Sequence, residues 1–162
     1  MWELTRTIVL GIGATLATDA WGFVARRLLG MQTLDYRLVG RWIESFPRGR
    51  FFHRNILEAQ PTPNEKWLGW TAHFAIGIAF AWLFVALVDR DWLADPRPEV
   101  ALVFGLATVA VPFLVMQPAF GFGVAAARTP DPLSARMRGL LTHAIFGLGL
   151  YLSAELLVAL EA

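Results

Sequence analysis

Cysteine is absent from the 162-residue chain. Disulfides, zinc–thiolate sites, iron–sulfur clusters and thiol catalysis are therefore excluded within it. Charge is scarce as well. Asp, Glu, Lys and Arg make up 17% of residues and apolar types 56%, against about 25% and 45–50% in a soluble domain. Enzyme signatures are missing too: there is no Walker loop, no G-x-S-x-G and no H-E-x-x-H. The GIGAT run that starts at Gly11 is no dinucleotide fingerprint, because no strand precedes it and no βαβ unit fits. These absences point away from an enzyme.

What is present is apolar length. The hydrophobic excess gathers into four blocks, roughly 5–29, 67–88, 100–127 and 137–160, each long enough to cross a bilayer as a helix of about 20 residues. The pattern predicts an all-α polytopic membrane protein, four transmembrane helices in a bundle, forming one transmembrane domain over 1–162 whose first partner is the lipid bilayer. The first block has some features of a signal peptide, but its apolar character runs past Asp19 to Leu29, so an uncleaved span is expected.

Net charge is only +1, yet the basic residues are unevenly placed. Of 14, eight lie between the first and second blocks and three between the third and fourth, leaving Arg6, Arg90 and Arg97. The positive-inside tendency then puts both basic loops in the cytoplasm and both termini on the periplasmic side of a bacterial inner membrane. Arginines that flank membrane helices and are balanced by 13 acidic residues do not suggest a nucleic-acid partner.

Local patterns refine this picture. Gly11, Thr15, Thr18 or Asp19, and Gly22 form a small or polar stripe on the first span, which should face the bundle where close approach replaces hydrophobic drive. The loop from 30 to 66 contains LDYRLVGRWIESF, which places Leu34, Leu38 and Trp42 along one face of a short interfacial helix. PRGRFFHRN then alternates arginine with aromatics, so Arg41, Trp42, Arg48, Arg50 and Arg54 form a candidate lipid-facing set. Trp2, Trp67, Trp70 and Trp92 near span ends read as interfacial anchors. In the third span Pro112, Pro118, Gly121 and Gly123 predict a kinked or broken helix with Gln117 beside the break.

The polar residues inside the spans are few. Asp19 lies seven residues before Arg26, about 10 Å from that end of its span at the helical rise. His73 and His143 lie about 8–9 Å into theirs by the same measure. Three ionisable side chains at one level, with Gln117, define a candidate site for a ligand or a proton, since bundles build sites from facing helices. The bland reading is a set of interhelical hydrogen bonds in a non-catalytic membrane subunit or assembly protein, worth about 0.6 kcal/mol each. Two cofactor alternatives stand beside it. His53, His73, His143 and Asp19 would suit a divalent metal, and His73 with His143 would suit a bis-histidine haem. TAHFAIGIAF and THAIFGLGL also align His73 with His143 and Gly77 with Gly147, a hint of parallel repeats. Four spans are few for a monomeric transporter, so a transport role would favour a homo-oligomer or a larger membrane complex.

GRWIESFPRGRFFHRNI, NEKWLGWTAHFAIGIAFAWL and RTPDPLSARMRGLLTHAIFGLGLYL, together with PFLVMQPAFGFG and the stretch ending at Asp19, resemble the bacterial membrane family DUF2938. The resemblance covers nearly the whole chain. It implies that Asp19, Arg41, Trp42, His53, Glu65, His73, Gln117, Pro118 and His143 occupy the family's characteristic positions. It supports a four-span inner-membrane protein and supplies no activity.

Overall fold

The computed structural model describes residues 2–88 and 90–161. The helices are α1 (Trp2–Leu29), α2 (Tyr36–Ser45), α3 (Glu65–Leu87), α4 (Arg90–Ala94), α5 (Pro98–Thr108), α6 (Gln117–Phe120) and α7 (Pro132–Glu161), and no strand occurs among the described residues. Four stretches are long and apolar enough to cross a membrane: Leu4–Leu29, Glu65–Leu87, Pro98–Phe120 and Pro132–Glu161. The chain is an all-α polytopic membrane protein, as its apolar blocks predict. Phe23, Val103 and Leu114 are each more than half exposed, which suits a lipid solvent and would be a liability in water.

Two compact units emerge from the packing. The first comprises Met1–Thr33, Phe74–Thr108 and Leu140–Ala162, the second Leu34–His73 and Val109–Gly139.

In the first unit all four spans contribute to one helix bundle, and glycine sets the spacing at three of its interfaces. A methyl group at Gly11 on α1 would collide with the backbone of Gly77 and Ile78 on α3. One at Gly149 on α7 would collide with Ala14 on α1. One at Gly105 on α5 would collide with Gly147 and the His143 carbonyl on α7. Such contacts bring backbones together so that dispersion holds helices that lipid would otherwise solvate equally well. The α3–α5 side is aromatic instead, with Phe84 and Phe104 ring centroids 5.0 Å apart. The small stripe of α1 behaves as predicted through Gly11, Thr15 and Thr18, which are buried, while Ile12, Leu16 and Phe23 face outward. It weakens at Gly22, where an added methyl would meet only the Thr33 methyl at 3.7 Å.

Trp92 departs from its expected role as an anchor. It lies on α4, is 1% exposed, stands edge-on to Phe84 at 4.7 Å, and donates its indole N–H to the Arg97 carbonyl at 3.1 Å. It is a core residue. Trp67 and Trp70 are exposed, as anchors should be, and the side chain of Trp2 lies outside the described residues.

In the second unit α2 does not lie free in the interface. It docks on the first turns of α3, where methyl groups at Gly40 and Gly69 would strike the Glu65 and Tyr36 carbonyls. Leu38, Val39, Arg41 and Ser45 are buried along its inner face, and Leu34 precedes the helix. Leu38, Val39, Ile56, Ala119 and Phe120 form the core of this unit.

The third span breaks as its prolines require. α5 ends at Thr108, a wide π turn covers Pro112–Met116, and the Gln117 N–H reaches back five residues to the Pro112 carbonyl. The helical stretch stops at Phe120 rather than 127, because Gly121 caps α6 with φ 87°. Gly123, Ala125 and Ala126 then also take positive φ, a conformation no continuing α-helix allows.

Candidate functional site

The polar centre of the first unit is built at the α5–α7 crossing. Thr108 is buried, and its hydroxyl lies 2.6 Å from the Gly105 carbonyl and 2.7 Å from His143 Nδ1. A carbonyl can only accept, so the one hydroxyl proton goes to Gly105. In the second contact Nδ1–H is then the donor and Thr108 Oγ1 the acceptor. That fixes the neutral tautomer with its lone pair on Nε2. Gly147, one turn beyond His143, is where α7 meets Ala101 and Leu102 of α5.

The α1–α3 crossing repeats this design. Gly11 meets Gly77, and Thr15 donates to the Gly11 carbonyl at 2.7 Å. In each hairpin a glycine on the first helix is followed by a back-bonded threonine. In each, a glycine on the second helix is preceded four residues earlier by histidine. The repeated sequence is thus a repeated helix crossing, and both hairpins run in the same sense, as parallel repeats do.

Asp19 follows Thr15 by one turn and belongs to the same unit as His143. α1 and α7 meet at Ala14 and Gly149, and at Gly13 and Ser153. Carried along α1 in this antiparallel register, Asp19 comes level with about residues 144–147 of α7.

The other candidates fall in the second unit. His73 stacks on Tyr36 with centroids 3.9 Å apart and rings inclined by 23°, and stands edge-on to Trp70 at 5.8 Å. Gln117 follows the π turn, and its Oε1 is buried without a hydrogen-bond partner among the described residues. His53 Nε2 lies 3.2 Å from Ser45 Oγ. Burial, then the Arg50 and Arg41 charges, hold this imidazole below its usual range. Among the described residues no three His, Asp or Glu side chains gather as a metal ion would need.

Arg41 also needs correction. Instead of facing lipid it is 9% exposed, donates to both Glu65 oxygens at 2.8 and 3.3 Å, and donates to the Ile56 and Ala59 carbonyls at 3.1 and 2.9 Å. Glu65 also accepts the Thr62 N–H at 3.1 Å, half of a capping box that the spacing T-x-x-E could have signalled. Trp42 is partly buried against Phe120, and its indole N–H goes to the Phe51 carbonyl at 2.8 Å. Arg48, Arg50 and Arg54 are exposed. Thr108 and Tyr36 carry no sequence signal of their own beyond their spacing from Gly105 and the α2 start.

A family model described as "Protein of unknown function (DUF2938)" matches residues 8–157. No curated protein and no solved structure matches the chain.

Proposed function

The chain belongs to the DUF2938 family, and on that premise we propose that it is a bacterial inner-membrane protein with a proton-binding polar site inside its bundle. His143 is the binding residue, Thr108 its positioning partner and Asp19 the charged member. The observation that carries this reading is the 2.7 Å contact between Thr108 and His143 Nδ1. With Nδ1 committed, Nε2 is the nitrogen at which a proton, or a small hydrogen-bond donor, binds. An ionisable carboxyl inside a span costs about 2.5–3.5 kcal/mol and is normally kept for function. Asp19, on the neighbouring α1, would offset a charged imidazole.

The rival reading is an assembly or scaffold subunit, favoured by the glycine-lined interfaces. Ring-nitrogen NMR on histidine-labelled protein in detergent separates the two. We expect His143 to hold the Nδ1–H tautomer at neutral pH, with Nε2 as the open acceptor. Thr108→Val should lose the tautomer preference, and Asp19→Asn should move the Nε2 resonance. A ring with no tautomer preference, or one that ignores both substitutions, leaves the scaffold reading standing.

A further inference from the structure

We infer that the Arg48–Arg54 loop is a preformed docking surface for anionic phospholipid headgroups. The loop begins at Gly49, which turns the chain at φ 68°. From there its backbone is clamped inward at successive points. The Arg50 N–H donates to the Ser45 carbonyl at 3.2 Å and the His53 N–H to the Ala119 carbonyl at 2.7 Å. Ser45 Oγ approaches the Arg50 carbonyl, and the Trp42 indole holds the Phe51 carbonyl. With its main chain tied down, the loop turns Arg48, Arg50, Phe51, Phe52 and Arg54 outward, and all five are exposed.

The three arginines differ from three others in the same unit. Arg37 is paired with Asp35, Arg41 with Glu65, and Arg136 donates to the Ala125 carbonyl. Among the described residues, the side chains of Arg48, Arg50 and Arg54 make no hydrogen bond or ion pair. Three uncommitted guanidinium groups beside two exposed phenyl rings, of which Phe52 is 73% exposed, require an occupant that is anionic at one end and apolar at the other. A phospholipid satisfies both requirements, whereas an acidic protein surface would answer the charge and leave the rings in water. The loop lies in the segment that connects α1 to α3, and the first turn of α3 carries the exposed Trp67, a residue type that anchors in the headgroup layer. Rigid presentation also reduces the ordering cost of binding. Guanidinium, moreover, pairs with phosphate in a bidentate fork.

Lipid retention by the full chain tests this. The protein is extracted from vesicles holding equal phosphatidylglycerol and phosphatidylcholine, and bound lipid is counted by native mass spectrometry. Each arginine contributes roughly fivefold to headgroup preference, so Arg48→Gln, Arg50→Gln and Arg54→Gln together should cut phosphatidylglycerol retention by at least tenfold and leave phosphatidylcholine unchanged. Unaltered melting of the triple variant would show that the clamped backbone survives. The triple lysine variant should keep most of the preference, since charge at the surface is retained. Equal retention of both lipids by the natural chain, or undiminished phosphatidylglycerol on the glutamine variant, overturns the inference.

Discussion

At the scale of single residues, the tightest polar arrangement is Arg41 with Glu65. One guanidinium serves a carboxylate and two carbonyls, and so joins α2, the turn at Ile56–Glu58 and the start of α3. Removing one member of a buried pair strands the other charge, which typically costs 3–5 kcal/mol. Both side chains here are 10% exposed, so Arg41→Ala should cost about 3 kcal/mol, at the low end of that range. Arg41→Lys should recover little, because one ammonium cannot span a two-point carboxylate contact and two further carbonyls. Denaturation in mixed detergent micelles measures both. An alanine variant as stable as the natural chain would mean that the pair contributes nothing net.

Among the elements, helix crossings carry the argument, and glycine identity at them can be tested by comparison. Gly105 faces α7 so closely that a Cβ would lie 2.5–2.6 Å from backbone atoms of His143 and Gly147. Backbone cannot swing aside as a side chain can. Gly105→Ala should therefore separate α5 from α7 and destabilise by about 1–3 kcal/mol, loosening the Thr108–His143 contact with it. Gly22→Ala should be neutral or stabilising by up to about 1 kcal/mol, through helix propensity alone. Unfolding of the two variants under the same detergent conditions checks the contrast, and equal losses at both sites would refute it. These elements also explain what could be read in advance. The spans were legible because length and apolarity are properties of a window, and the break in the third because proline removes a donor wherever it sits. The docking of α2 was not legible, since an apolar helix face looks alike whether it meets headgroups or Glu65 and Phe120. Trp92 misled for a related reason: only its contacts with Phe84 and the Arg97 carbonyl distinguish a core tryptophan from an anchor. Within the site, His143 and the helical level of Asp19 could be found by counting. Thr108 could not, because a back-bonded threonine in an apolar helix gives no sign that its oxygen also meets an imidazole.

For the whole molecule, the question that charge alone addresses is which way the spans run. Eleven basic residues fall in the two loops that follow the first and third spans or in the helix ends that border them, against three elsewhere, and lysine or arginine excess is retained on the cytoplasmic side during insertion. The headgroup surface of the Arg48–Arg54 loop would then meet the inner leaflet, the anionic face of a membrane in the sense that basic segments seek. The absence of cysteine makes the test clean, because each introduced thiol is the only one in the chain. Gln60→Cys lies in the long basic loop and Asp95→Cys in the short connection before α5, and both positions are exposed. In intact bacterial cells a membrane-impermeant maleimide should label Asp95→Cys and leave Gln60→Cys unreacted until the membrane is permeabilised. The reverse pattern would invert the topology and move the arginine loop to the outer face. Labelling of both sites in intact cells would mean that the chain inserts in two orientations, and the charge asymmetry would then have no directing effect.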